Sequence, residues 1–327
     1  MKILVVRFSS IGDIVLTTSV VRALHKKFPD ADISYVTKEA YKEIVAANPN
    51  INYVYSFKTD LNEVLPALKE KKFDIIVDLH RNLRSAKIKR ALKVQSYTFP
   101  KLNFKKWMLV NLRINKMPEI HIVDRYFKAV EKLDVKNDGL GLDYFIPENT
   151  RPMSALIPAA FTTGYVAIVI GAAHVTKAMP ENKLEFICKN INYPVVLIGG
   201  KNEKEAGDRL VSAAGKQVYN AAGALSLNES AQVIKNAKAV ITPDTGMMHI
   251  AAAFQKPVIS VWGNTIPEFG MYAYLPGKET NSIIFENKNL KCRPCSKIGY
   301  KKCPKGHFKC MNELDYDKLL SVVKQRL

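Results

Sequence analysis

The sequence predicts an α/β protein made of two doubly wound parallel sheets. Three observations carry this. Short continuous apolar runs rich in Val and Ile alternate with stretches of helical spacing, the series restarts midway, and 327 residues suffice for two domains. A strand covered on both faces reads as an unbroken apolar run, and parallel strands need a crossover between them.

The first series opens with Ile3-Leu4-Val5-Val6, turns through Ser9-Ser10-Ile11-Gly12-Asp13, and continues with helical spacing from Ile14 to Phe28. Ile33 to Val36, Tyr53 to Phe57 and Asp74 to Asp78 are its further strands. Between Tyr144 and Thr163 the chain carries Pro147, Pro152 and Pro158 among polar residues, which marks a linker. The second series follows with Tyr165 to Ile170, Val195 to Ile198, Ala239 to Ile241 and Val258 to Val261. The expected domains are therefore 1–155 and 156–327.

Composition excludes several classes. No apolar run approaches the ~20 residues of a membrane-spanning helix, and mean hydropathy is −0.08. With 47% hydrophobic and 24% charged residues and ordinary Gly and Pro counts, the chain is neither disordered nor collagen-like. Arg7 and Asp13 interrupt the apolar N-terminus, so Ile3 to Val6 reads as a buried strand rather than a signal peptide. Five cysteines, four of them crowded near the C-terminus, do not resemble a secreted disulfide framework. The expected compartment is the cytoplasm.

The net charge is +19, with 26 basic against 17 acidic residues up to residue 150 and 23 against 13 beyond it. Both halves are basic, a field that favours anionic partners.

In open α/β sheets ligands bind at the carboxyl ends of strands, so the loops after the strands hold the candidate chemistry. After the first strand come Ser9, Ser10, Gly12 and Asp13. Asp13 at a helix start can accept a proton from an attacking hydroxyl, and Ser10 and Asp13 equally have the spacing of a capping box. The loop lacks G-x-G-x-x-G, so it carries no dinucleotide fingerprint. Thr242-Pro243-Asp244-Thr245-Gly246-Met247-Met248-His249 leads from a strand into a helix. Such a start offers unpaired amides to phosphate oxygens; Asp244 can also be a simple N-cap and His249 a packed histidine. Lys177, in the loop from Gly171, can neutralise a diphosphate or lie solvated. Glu203, after Gly199-Gly200, can bind ribose hydroxyls.

Together and in this order, these pieces resemble the glycosyltransferase family that contains the ADP-heptose:lipopolysaccharide heptosyltransferases. The resemblance spans nearly the whole chain and is strongest at Val5 to Leu24, Val196 to Glu203 and Thr242 to Trp262. It implies the GT-B architecture, two Rossmann-like domains facing across a cleft, with acceptor binding in the first domain and nucleotide-sugar binding in the second. It implies inverting, metal-independent transfer of heptose from ADP-heptose to a lipopolysaccharide core acceptor, with no cofactor required. By position it implies Asp13 as catalytic base, with Ser9, Ser10 and Gly12 forming the acceptor-side loop. On the donor side it implies Lys177 at the diphosphate, Glu203 near the ribose and Leu225 beside the adenine. Asp244, Thr245, Gly246 and His249 match the family's Asp-Thr-Gly-x-x-His donor motif, with Met247 in place of the commoner small residue or proline.

Two basic segments complete the reading. Residues 81–116 hold eleven Lys or Arg and no acid, with Tyr97, Phe99, Phe104 and Trp107 interleaved. This suits the anionic acceptor or the inner-membrane surface, and it implies peripheral membrane association with no nucleic acid partner expected. Residues 288–310 hold Cys292, Cys295, Cys303 and Cys310, candidates for a structural metal but not a catalytic one. The alternatives are a basic nucleic-acid-binding protein with a zinc-stapled C-terminal segment, and a GT-B-fold sugar-nucleotide isomerase.

Overall fold

The computed structural model describes Met1–Leu327. The backbone falls into two units: Met1–Leu102 with Ile120–Phe145, and Asn103–Glu119 with Ile146–Leu327. Each holds one parallel sheet, the α/β class the apolar runs predict.

In the first unit the strands are β1 (Lys2–Val6), β2 (Asp32–Lys38), β3 (Tyr53–Phe57), β4 (Ile75–Asp78) and β5 (Gln95–Thr98). They lie in the order β3-β2-β1-β4-β5, every neighbouring pair parallel. The chain runs outward from β1 to β3 and then returns to start again at β4. The switch point is therefore between β1 and β4, and a ligand crevice is expected at their carboxyl ends. Ile3 to Val6 are fully buried because helices cover both faces, and Leu4, Val6, Val36, Ile76 and Ile88 pack in one cluster.

The helix expected over 14–28 is two helices, Ile11–Val15 and Thr18–Lys27. The hydroxyls of Thr17 and Thr18 donate to the carbonyls of Ile14 and Val15, each at 2.7 Å. Such back-bonding competes with the main-chain ladder at the break.

The second unit has β6 (Val166–Val169), β7 (Val195–Ile198), β8 (Val218–Asn220), β9 (Ala239–Pro243), β10 (Val258–Trp262) and β11 (Ser282–Glu286). Their order is β11-β10-β9-β6-β7-β8, again all parallel, with the switch point between β6 and β9. The C-terminal helix Tyr316–Lys324 buries Leu319 and Val323 in the same core as Ile168, Leu197 and Ile259. Each such aliphatic burial contributes about 1.5–3 kcal/mol.

The expectation of 1–155 as a single first domain differs from this division. Ile146 already belongs to the second unit, and so does the helix Asn103–Leu112, whose Leu109 packs with Ile266 and Phe269 after β10. Beyond that helix, Arg113 donates to the carbonyls of Pro294 at 2.6 Å and Cys292 at 3.2 Å. No helix is long and apolar enough to cross a membrane.

Candidate active site

In the first unit, the loop after β1 is organised by Arg7. This residue is buried, and its guanidinium donates to the carbonyls of Ser9 at 2.9 Å and Leu79 at 2.6 Å. Its remaining nitrogen lies 2.6 Å from Asp13 Oδ1. Burial opposes the charge on Arg7, but Asp13, with Tyr126 and Tyr35, outweighs it and raises the pKa. The other Asp13 oxygen accepts from the Ser10 hydroxyl at 2.9 Å and the Ser10 amide at 3.3 Å. The capping contact and an accessible carboxylate thus coexist, since the Asp13 side chain keeps 23% exposure. Ser9 and Ser10 border the loop, and Gly12 is buried one position before Asp13.

The loop after β4 stands on the other side of the same switch point. Asp78 is fully buried, and its Oδ1 accepts from the amides of His80 at 3.0 Å and Arg81 at 2.7 Å. Lys89 Nζ lies 3.1 Å from its Oδ2. The His80 ring sits 4.7 Å from that of Phe8. Burial, together with Arg7 and Lys101, pushes the His80 pKa down to about 4, so the ring is neutral at pH 7. Sequence reading assigned no role to Arg7, Asp78 or His80. The available signal was a polar Asp-x-His-Arg run directly after an apolar strand.

In the second unit, two loops meet across the switch point. Lys177, from the loop after β6, places Nζ 2.6 Å from Asp244 Oδ2 and donates to the Asp244 carbonyl at 3.3 Å. Asp244 follows β9, and the same carboxylate oxygen accepts from the Thr265 hydroxyl at 2.9 Å. Asp244 is not the N-cap; Thr245 holds that position, with extended backbone. Its hydroxyl does not cap the helix Gly246–Ala253 but meets the Thr242 hydroxyl at 3.2 Å. The helix therefore opens without a side-chain cap, beside a lysine. This arrangement suits phosphate oxygens. His249 is buried on that helix, one turn in.

Glu203 reaches the same end of the sheet. The Gly200 amide donates to its Oε2 at 2.8 Å, and a Cβ on Gly171 would stand 2.7 Å from its carboxyl carbon. Gly171 thereby leaves room for Glu203 at the end of β6. Leu225 lies farther along the sheet, half-buried in the turn between β8 and the helix Leu227–Asn236. No hydrogen bond joins that turn to Lys177 or Asp244. Thr265 went unassigned in the sequence, although the polar run Gly263-Asn264-Thr265 after the apolar strand β10 was a signal for it.

No group of three or more His, Cys, Asp or Glu is placed to hold a metal ion, although Cys292, Cys295, Cys303 and Cys310 lie near enough to act on one another electrostatically. Cys310 is drawn into the hydrophobic core, where burial pushes its thiol up to about 12, and Cys295 is pushed up to about 11. Cys292 Sγ lies 3.9 Å from His307 Nε2, and Cys303 is half-buried. What anchors the segment is Arg293, whose buried guanidinium donates to the carbonyls of Trp262, Gly263, Thr265 and Asn287 and pairs with Glu286 at 3.1 Å.

Comparison with known proteins identifies the family and the fold. The sequence model of glycosyltransferase family 9 (heptosyltransferase) matches residues 62–305. The lipooligosaccharide heptosyltransferase 2 of Haemophilus influenzae is 25% identical over 324 residues, covering 91% of this chain and 93% of the relative. The crystal structure of a family 9 glycosyl transferase from Veillonella parvula is 21% identical, with a TM-score of 0.80 over 99% of this chain and 96% of that one. An Escherichia coli heptosyltransferase solved with ADP is 19% identical, with a TM-score of 0.72 over the full length of both chains. These structures share the GT-B fold of two Rossmann-like domains.

Proposed function

The chain belongs to glycosyltransferase family 9, and we propose that it transfers heptose from ADP-heptose to an anionic lipopolysaccharide core acceptor, with inversion and without a catalytic metal. The observation that carries the donor half is the Lys177–Asp244 pair bridging the switch point beside the uncapped helix at Gly246. When the bond between the sugar carbon and the diphosphate breaks, negative charge grows on the leaving ADP. Lys177 and the first amides of the 246–253 helix stabilise that charge, and one such donor is worth roughly a hundredfold to a thousandfold in kcat. Glu203 and Leu225 are assigned to the ribose and the adenine.

The acceptor half rests on Asp13. Its carboxylate takes the proton of the acceptor hydroxyl as that oxygen bonds to the sugar carbon, and a single displacement of this kind inverts the centre. Arg7 holds the carboxylate in place while the Asp13 side chain keeps 23% exposure. The reaction draws on a nucleotide sugar, and the proposal places it in the cytoplasm, where such donors are made.

The test is transfer from ADP-heptose to a purified core acceptor, followed by ADP release. Asp13→Asn is expected to lower kcat by about a hundredfold or more while leaving the donor Kd within about twofold. A variant as active as the parent removes the base assignment. Treatment with a chelator is expected to leave the rate unchanged, and restoration of a lost rate by added divalent ion would contradict the metal-free step.

A further inference from the structure

Two acid-free basic segments, distant in sequence, meet in the second unit. One contains the helix Asn103–Leu112, whose packed side is fixed by Leu109 against Ile266 and Phe269. The opposite requirement is unmet for Phe104 and Trp107, which remain 71% and 50% exposed. Their spacing of three residues puts them on neighbouring helical positions, and the rings stack with centroids 6.1 Å apart and an interplanar angle of 13°. Leu112, the last residue of the helix, and Ile114 just beyond it are also exposed apolar side chains. The second segment is the loop 288–309, with eight Lys or Arg, no acid, and Ile298 and Tyr300 exposed. Arg113 joins the two through its bonds to Cys292 and Pro294. Lys105, Lys297, Lys301 and Lys302 are exposed and take part in no salt bridge.

We propose that the Asn103–Leu112 helix and the adjoining 288–309 loop form a docking face for an anionic lipid bilayer. An aromatic pair flanked by lysines is what an interfacial anchor needs: rings at headgroup depth and cations over the charged surface. Single-stranded nucleic acid would also stack on Phe104 and Trp107, but it offers nothing to Leu112, Ile114 or Ile298, whereas acyl chains cover all three. The unpaired lysines add a term that falls away with salt. Docking through this face does not depend on which sugar is transferred.

The experiment is sedimentation of the full chain with vesicles of phosphatidylglycerol and phosphatidylcholine, against vesicles of phosphatidylcholine alone. Binding is expected only with the anionic lipid and is expected to weaken at high salt. Phe104→Ser with Trp107→Ser should reduce partitioning roughly tenfold or more, and each of Lys105→Ser and Lys301→Ser about fivefold. Trp262 is buried, so a blue shift of tryptophan emission on binding should vanish in Trp107→Phe. The lysine variants carry the test if the aromatic pair proves necessary for folding. Equal binding to neutral vesicles, unchanged partitioning of the variants, or no change in Trp107 emission overturns the proposal. So does an RNA oligomer that displaces the vesicles, or a dimer that dissociates when the aromatic pair is replaced.

Discussion

Arg7 holds three groups at once: the Ser9 carbonyl, the Leu79 carbonyl and the Asp13 carboxylate. A planar guanidinium can serve all three from one position, whereas an ammonium on a flexible stem cannot hold the same angles. Arg7→Lys is therefore expected to lower kcat on the order of a hundredfold through misplacement of the carboxylate. Donor Kd should stay the same, and a matched rise in donor Kd would show a general structural role instead. His80 makes a prediction of the opposite kind, about stability. Its folded pKa of about 4 lies below the ordinary histidine value, chiefly through burial, so the unfolded chain binds the proton more readily. The sign follows directly: the contribution is fully present above about pH 6.5 and is lost as pH falls toward 4. His80→Gln is expected to flatten the denaturation midpoint across that window relative to the parent. A parallel pH dependence in both proteins would show that another group titrates there.

At the scale of elements, each unit brings together loops that share its own switch point, and in the second unit a small residue sets their spacing. Gly171 is that residue. A methyl group there meets the far end of the Glu203 side chain rather than backbone, so the carboxylate can swing aside at little cost to stability. Gly171→Ala is expected to leave the melting temperature nearly unchanged while weakening nucleotide-sugar affinity as much as Glu203→Gln does. Unchanged affinity, measured by titration, would remove Glu203 from the donor site. The same scale explains what the sequence disclosed. Every strand with neighbours on both sides was legible, because burial on both faces leaves an unbroken apolar run such as Val195 to Ile198. The strands that escaped, β5, β8 and β11, are sheet edges, where the apolar run is broken by the exposed Gln95, the half-buried Asn220 and Glu286, which is paired with Arg293. The candidate loop Asp244 to His249 could be singled out because its residues are contiguous. Arg7, His80 and Thr265 were not, since their roles depend on groups brought from other strands.

Across the whole molecule, the linker near Pro147 announced itself through composition, but the assignment of 103–119 to the second unit did not. Leu109 and Val110 look like the apolar positions of any helix, and only Ile266 and Phe269 reveal which core they serve. Charge is the property that belongs to the entire chain. A net +19 spread over both halves raises the local concentration of any anionic acceptor and speeds encounter without contributing to the chemical step. At low ionic strength the field extends beyond about 10 Å, and near 1 M salt it shrinks to about 3 Å. The value of kcat/KM for a phosphorylated core acceptor is therefore expected to fall roughly tenfold or more over that range, with kcat at saturating acceptor nearly constant. A dephosphorylated acceptor separates steering from any general effect of salt on the enzyme, because its kcat/KM should change little. If both acceptors lose the same factor, the excess charge does not act on the acceptor. If neither does, the basic surface has no part in substrate capture and is left to whatever the lysines of 81–116 and 288–309 meet instead.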